Sequence, residues 1–240
     1  MSRVTTVLEA VFHECQIQTD PAVMERFEAY HQFLVERNRL MDLSNVPDDE
    51  MPRRHYVDSI LPVLGYPGLV GPEDSILDVG SGAGLPGLPL AILFPEQSVT
   101  LLESNGRRCD FLREVIERLG LSHVHVLECR AETAGRDARY REAFDVTVSR
   151  AVAALPELLE YMLPMTRVGG RALCWKGRRA DEEISAAAPA ALKLGDAVLT
   201  ALYYGIGEED SVLVRADKHA PTPDSYPRRV GIPHKRPINA

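Results

Sequence analysis

The chain has 240 residues, 45% of them hydrophobic and 26% charged, with a formal net charge of −8. That length fits one large domain or a domain with an extension, and that composition supports a sizeable core. A net negative surface excludes a general nucleic-acid coat protein, and no apolar run approaches the roughly 18 residues of a membrane span. The N-terminus, Met1-Ser-Arg-Val-Thr-Thr, meets charged and polar residues too soon for a secretory signal. Cys15, Cys109, Cys129 and Cys174 are scattered, with no Cys-x-x-Cys pair. They read as reduced thiols of a cytoplasmic protein without a metal site. Residues 1–74 hold 6 basic and 13 acidic side chains, whereas the last 23 residues set Lys218, Arg228, Arg229, Lys235 and Arg236 against Asp224 alone. A nucleic acid would therefore be met by local patches and not by the whole surface.

Val4, Val7, Leu8, Val11 and Phe12 stand at helical spacing and predict a helix over 4–16. Asp20-Pro21 is a cap followed by proline at the first helical position. It opens a longer amphipathic helix whose stripe includes Met24, Phe27, Phe33, Leu34 and Leu40. Both stripes read as core packing. Met41-Asp-Leu-Ser-Asn is a break. Residues 48–64 read as a third helix, which carries Arg53-Arg54-His55-Tyr56-Val57-Asp58-Ser59. Residues 1–70 thus form an N-terminal helical extension packed on a core.

From Ser75 the pattern alternates between strands and helices. Strands are expected over 75–79, 98–103, 124–129, 144–149 and 171–176, with helices over 86–94, 107–119, 155–165 and 180–194. Gly169-Gly170 is expected to end the third of those helices. Residues 197–204 and 211–215 are separated by Gly205-Ile-Gly-Glu-Glu-Asp, too short a link for a crossover helix, so they read as an antiparallel pair. The expected core, residues 71–217, is an α/β domain. Its seven-stranded, mostly parallel sheet is covered on both faces and closed by an antiparallel strand. The basic tail, 218–240, is rich in proline and is expected to lie without regular structure over a sheet edge.

The chemistry centres on Ser75-Ile-Leu-Asp-Val-Gly-Ser-Gly-Ala-Gly-Leu-Pro-Gly87. A short apolar strand ends in glycines, and Pro86 opens the next apolar segment. Gly80, Gly82 and Gly84 allow the backbone to approach a ligand, and the following helix start offers unpaired N–H groups. With Asp78 at the strand end, the stretch reads as a nucleotide-type cofactor site. The dinucleotide fingerprint would place its third glycine at Leu85, so the Gly-x-Gly-x-Gly spacing instead resembles the first motif of S-adenosylmethionine methyltransferases of class I.

Ligands in such sheets bind beyond the carboxyl ends of the strands. Glu103 ends strand two and can accept both hydroxyls of a ribose. Ala131 and Glu132 follow strand three, where a backbone N–H and a carboxylate can read an adenine edge. Arg150 ends strand four. A buried arginine there is either paired, with Asp78 as one partner, or faces a cleft. Arg150, in a positioning role, and His55 are the candidate catalytic residues. No Asn/Asp-Pro-Pro-aromatic segment follows strand four, and no cysteine follows a proline. Exocyclic-amine methylation and carbon-5 pyrimidine methylation use those features, the latter because its carbon needs a cysteine nucleophile. A ring nitrogen with a free lone pair, such as guanine N7, needs neither, and alignment suffices. Arg53, Arg54, Arg107, Arg178, Arg179, Arg228, Arg229, Lys235 and Arg236 are candidate RNA-phosphate contacts.

These pieces together resemble the bacterial glucose-inhibited division protein B (GidB, RsmG) family of small-subunit rRNA guanine-N7 methyltransferases. The resemblance is carried by Met41 to Asn45, Arg54 to Ser59, Leu77 to Leu90, Ser104 to Leu112, Arg130-Ala-Glu132, Ser149-Arg150-Ala151, Lys176-Gly177 and the tail from Pro227 to Ile238. It implies a class I (Rossmann-like) methyltransferase fold, S-adenosylmethionine as methyl donor, and a guanine in the decoding-region hairpin of 16S rRNA as acceptor, free or within a small-subunit particle. A monomer in the cytoplasm, without membrane or metal, is expected. Carried over by position, Gly80, Leu85, Ala131, Glu132 and Arg150 would contact the cofactor, with Glu103 close by. The chain departs in having Ser81-Gly-Ala-Gly84 where Thr-Gly-Pro-Gly is common, and Glu103 where Asp is common. A methyltransferase for small molecules or proteins and a non-catalytic nucleotide-binding module are the rival readings, disfavoured by the tail and by the Arg53–Ser59 stretch respectively.

Overall fold

In the computed structural model, which describes residues 2–18, 20–206 and 209–238, three helices precede the sheet. Helix α1 (Arg3–Glu14) is capped by Ser2, whose hydroxyl accepts from the Thr5 amide, and α2 (Pro21–Asn38) by Asp20, which accepts from the Ala22 amide. The expected third helix is a π-helical turn over Pro52–Val57 that continues as α3 (Asp58–Gly65). The Arg54 and His55 carbonyls of this turn also accept from Arg150 Nη1, at 3.1 and 3.4 Å.

The strands are β1 (Ile76–Val79), β2 (Val99–Glu103), β3 (Val124–Glu128), β4 (Phe144–Arg150), β5 (Thr166–Lys176), β6 (Val198–Ile206) and β7 (Glu209–Asp217). Between them lie α4 (Gly87–Leu93), α5 (Gly106–Leu119), α6 (Ala131–Ala134), α7 (Leu155–Met162) and α8 (Ala180–Gly195), and α9 (Ile232–Lys235) follows in the tail. The sheet order is β3-β2-β1-β4-β5-β7-β6. β1 to β5 pair in parallel, and β7 runs against both of its neighbours. This is the expected mostly parallel α/β sheet. The tip between β6 and β7, Gly207 and Glu208, lies outside the described residues.

Alternate strand residues point to opposite faces, and each face has its own core. Ile76, Val99, Leu101 and Val148 join α1 to α5 on one side, while Leu77, Val79, Leu102 and Cys174 join α7 and α8 on the other. The extension is part of the first core: Phe33 of α2 stacks on Phe111 of α5 at 5.6 Å, and Tyr56 lies 5.4 Å from Tyr30.

Gly169-Gly170 does not end a helix. α7 stops at Met162, and the glycines lie inside β5, where the register against β4 shifts between Phe144 and Val146. The Gly169 amide donates to the Lys218 carbonyl, and the Lys218 amide to the Gly170 carbonyl, so the pair forms a bulge that receives the chain leaving β7. The tail does not lie over a sheet edge either. It crosses α6 and α7, and its one short helix, α9, was not expected from the prolines. Among the described residues, no helix is long and apolar enough to cross a membrane, and no group of three or more His, Cys, Asp or Glu could hold a metal ion.

Candidate functional site

Strand order reverses between β1 and β4, and a crevice opens there beyond the carboxyl ends of the strands. Two clefts meet in it, of about 400 and 490 Å³, and both are lined by Gly80, Glu103, Ser104 and Val152. Through these shared residues they adjoin as two halves of one trough. One half reaches Ala131, Glu132 and Tyr161, and the other reaches Gly82, Leu85, His55 and Arg150.

The glycine loop is held from below. Asp78 is fully buried, and its Oδ2 accepts from the Gly87 amide at 3.0 Å. Burial pushes this carboxyl up to about 7, although the Gly87 amide and Ser81 act in the other direction. A Cβ on Gly87 would stand 2.6 Å from Asp78 Oδ2 and 2.5 Å from Leu101, so only glycine lets α4 start here. Asp78 therefore anchors the loop and does not line the trough, which differs from the sequence expectation that it faces a ligand. Its Oδ1 has no partner. From the side, the Tyr30 hydroxyl donates to the Ala83 carbonyl at 2.6 Å, a link between α2 and the loop that nothing in the sequence announces.

Glu103 is 6% exposed, and three backbone amides fix it: Ser104 and Asn105 on Oε1 at 2.7 and 2.8 Å, and Gly82 on Oε2 at 3.0 Å. Oε2 keeps a free lone pair for a hydroxyl donor. Gly82 has φ +57°, and a Cβ there would meet nothing closer than 3.9 Å, so the loop leaves open space where any side chain would stand. The spare lone pair of Glu103 and the open cradle at Gly82 fit a nucleoside-type cofactor of the kind the glycine motif implies. Glu132, also 6% exposed, gives Oε1 to the Gly231 amide at 2.8 Å.

Arg150 pairs with Asp58 at 2.9 Å, not with Asp78. Its Nη2 lies 3.3 Å from His55 Nδ1. A guanidinium can only donate, so Nδ1 accepts and the imidazole proton sits on Nε2, facing the Ser44 hydroxyl at 2.7 Å. Burial and then the Arg150 charge lower the His55 pKa to about 4. His55 is thus a neutral ring engaged at both nitrogens. Asp58 also accepts from the Tyr204 hydroxyl at 2.8 Å, and its carbonyl accepts from Trp175 Nε1 at 2.8 Å.

Arg150 and Ala151 also border a second, larger cleft of about 960 Å³. Asp58, Trp175, Lys176 and Tyr204 form its floor side, and Arg53 and Arg54 are exposed at its edge. Ala151, between trough and cleft, has φ +57°, the left-handed region that favours glycine.

The other sequence-predicted cations scatter. Arg107 is exposed on the first turn of α5 and lines none of these clefts, and Arg178 and Arg179 are exposed after β5. Arg229, Lys235 and Arg236 are exposed in the tail. Arg228 is the correction among them: its backbone amide, Nε and Nη2 all donate to Glu160, a carboxylate with no exposure. Lys218 is likewise fully buried and bound to Glu142. Sequence reasoning missed Asp58, Val152, Trp175, Tyr204 and Gly231. Asp58 and Gly231 stood in quoted motifs without a role in the site, and the others carry no local signal.

Residues 23–209 match the family described as rRNA small subunit methyltransferase G. A ribosomal RNA small subunit methyltransferase G of Roseiflexus castenholzii is 44% identical over 225 residues, covering 92% of this chain and 94% of the relative. That of Carboxydothermus hydrogenoformans is 39% identical over 236 residues, covering 96% and 98%. A solved methyltransferase from Pyrococcus furiosus is similar in fold alone, with TM-score 0.54 and 16% identity over 80% of this chain and 98% of that one. With the family match spanning the extension from residue 23 onward, the glycine loop and every strand-end residue of the trough, the chain belongs to the rRNA small subunit methyltransferase G (GidB) family.

Proposed function

We propose that the chain methylates N7 of a guanine in 16S rRNA, in the decoding-region hairpin of the small subunit, using S-adenosylmethionine. The carrying observation is the trough at the β1/β4 reversal, whose wall at Arg150 and Ala151 is shared with a larger cleft. Glu103 takes one ribose hydroxyl on Oε2, Ala131 and Glu132 the adenine edge, and Gly80, Gly82 and Leu85 the amino-acid end. The cofactor supplies an electrophilic methyl group, which a ring nitrogen with a free lone pair can accept without first losing a proton.

The acceptor base enters through the larger cleft. Arg53 and Arg54 at its edge contact RNA phosphate, and the exposed Arg229, Lys235 and Arg236 extend that surface. Arg150, fixed by Asp58 and by the π-helical turn, holds the wall between the reactants. Two features support catalysis by alignment and not by acid–base or covalent chemistry. His55, neutral and engaged on both sides, has no free nitrogen to take a proton. Burial pushes all four thiols up, Cys109 to about 11 and Cys174 to about 12, with Glu14 adding to it at Cys15, so none is a ready thiolate. The test is methyl transfer to 16S rRNA taken from a strain lacking the protein, compared with intact small subunits from that strain. N7-methylguanosine should appear on one of the two. If the untreated rRNA of that strain already carries its full N7-methylguanosine content, the proposal fails.

A further inference from the structure

The tail behaves as a fitted part of the trough. Three buried carboxylates, Glu132, Glu157 and Glu160, converge beneath it. Glu160 takes the Arg228 fork, Glu132 takes the Gly231 amide, and Glu157 lies 3.1 Å from His234 Nδ1. Ile238 is buried in the core on the α7–α8 side, which pins the far end. Between these anchors, Val230, Gly231 and His234 complete the wall of the 400 Å³ half of the trough, alongside Glu132 and Tyr161. Val230 is 55% exposed and Val152 41% exposed, and both line this half. Two valines bordering one cleft give it apolar surface against which a flat ring can pack.

We infer that residues 228–234 are a cofactor-binding element: Val230 and Val152 enclose the adenine ring, and the tail holds Glu132 oriented toward its edge. The inference rests on the proposed function for the identity of the ligand, and it assigns to cofactor binding a segment that lies beyond the family match, which ends at residue 209. It also separates roles within the tail. Val230, Gly231 and His234 serve the cofactor, while Arg229, Lys235 and Arg236 remain free for RNA.

The experiment is calorimetric titration of the full chain with S-adenosylmethionine and with S-adenosylhomocysteine, alongside binding of a 16S rRNA fragment. The variant V230A/H234A removes the His234 contact to Glu157, but the Tyr161 hydroxyl still donates to that carboxylate at 2.8 Å, so the melting temperature should fall by no more than about 4 °C. Loss of the valine contact should raise the cofactor dissociation constant roughly tenfold and leave rRNA affinity unchanged. Replacing Arg229, Lys235 and Arg236 by alanine should do the reverse. Amide exchange in residues 229–236 of the unaltered chain should slow when the cofactor is added. Equal cofactor affinity in V230A/H234A, or unaltered exchange in the tail, overturns the inference. Failure of the unaltered chain to bind either cofactor form would instead overturn the proposed function.

Discussion

Arg228 decides between two roles for the tail, and Arg228→Met separates them. In the structure its guanidinium forks onto Glu160 with Nε at 2.9 Å and Nη2 at 2.6 Å, and Glu160 has no exposure. Methionine keeps the backbone amide bond to Glu160 but leaves the carboxylate with one donor in place of three. Breaking a buried pair from one side costs roughly 3–5 kcal/mol, because an uncompensated charge remains. Arg228 is itself 26% exposed, so water can reach part of the gap, and the expected loss is about 3 kcal/mol. In a chain of this size that lowers the melting temperature by roughly 6–12 °C. Adding Glu160→Gln removes the stranded charge, and the double variant should recover about 2 kcal/mol of the loss. Urea unfolding of the two single variants, the double variant and the unaltered chain measures this. A loss under about 1 kcal/mol, with a weakened salt dependence of rRNA binding, would refute the ion-pair reasoning and return Arg228 to phosphate contact.

Gly82→Val should abolish cofactor binding in titration, because the side chain fills the open cradle, while the fold survives with a loss of roughly 1–2 kcal/mol for a non-glycine residue at positive φ. Unchanged affinity would remove the loop from the cofactor site. His55 gives a pH signature. Its pKa is lowered to about 4 in the fold, against about 6.5 unfolded. Its contribution is thus complete above about pH 6.5 and is lost as pH falls through 4, because in that window the unfolded chain binds the proton that the fold excludes. Stability of the unaltered chain should drop by up to about 3 kcal/mol across that window relative to His55→Asn. Parallel curves would show that the ring ionises freely.

What was legible in the sequence follows the range of the forces involved. The alternating strands and helices are written in local periodicity and punctuation. Glu103, Glu132 and Arg150 could be located because a parallel sheet places strand ends at the ligand. Pairings across long stretches were not legible. Gly169-Gly170 suits a helix end or a bulge equally well, and only the return of the chain at Lys218 selects the bulge. Arg228 looks like any tail cation until α7 brings Glu160 beneath it, and Arg150 could have met Asp78 had the π-helical turn not delivered Asp58 first. The π-helical turn left no mark, since its residues are spaced as in an ordinary helix.

Under the proposed function, that turn also gives the extension a part in holding the site. From α2, Tyr30 holds the glycine loop at Ala83, and the same aromatic group continues through Tyr56, whose hydroxyl lies 3.0 Å from His31 Nδ1. The next residues along, His55 and Asp58, hold Arg150, and Asp58 reaches on to Tyr204 and Trp175 on the sheet. Two elements of the extension, α2 and the π-helical turn, therefore touch the glycine loop and the Arg150 wall that the proposed function sets between cofactor and acceptor. Hydrogen bonds to charged groups of this kind contribute about 1.5–3 kcal/mol each, enough to fix the geometry against thermal motion. If the reaction depends on alignment alone, a misplacement of about 1 Å can cost on the order of a hundredfold in rate. Loosening the extension at Tyr30 or Asp58 would then lower turnover more than cofactor affinity, although neither residue need touch the methyl group.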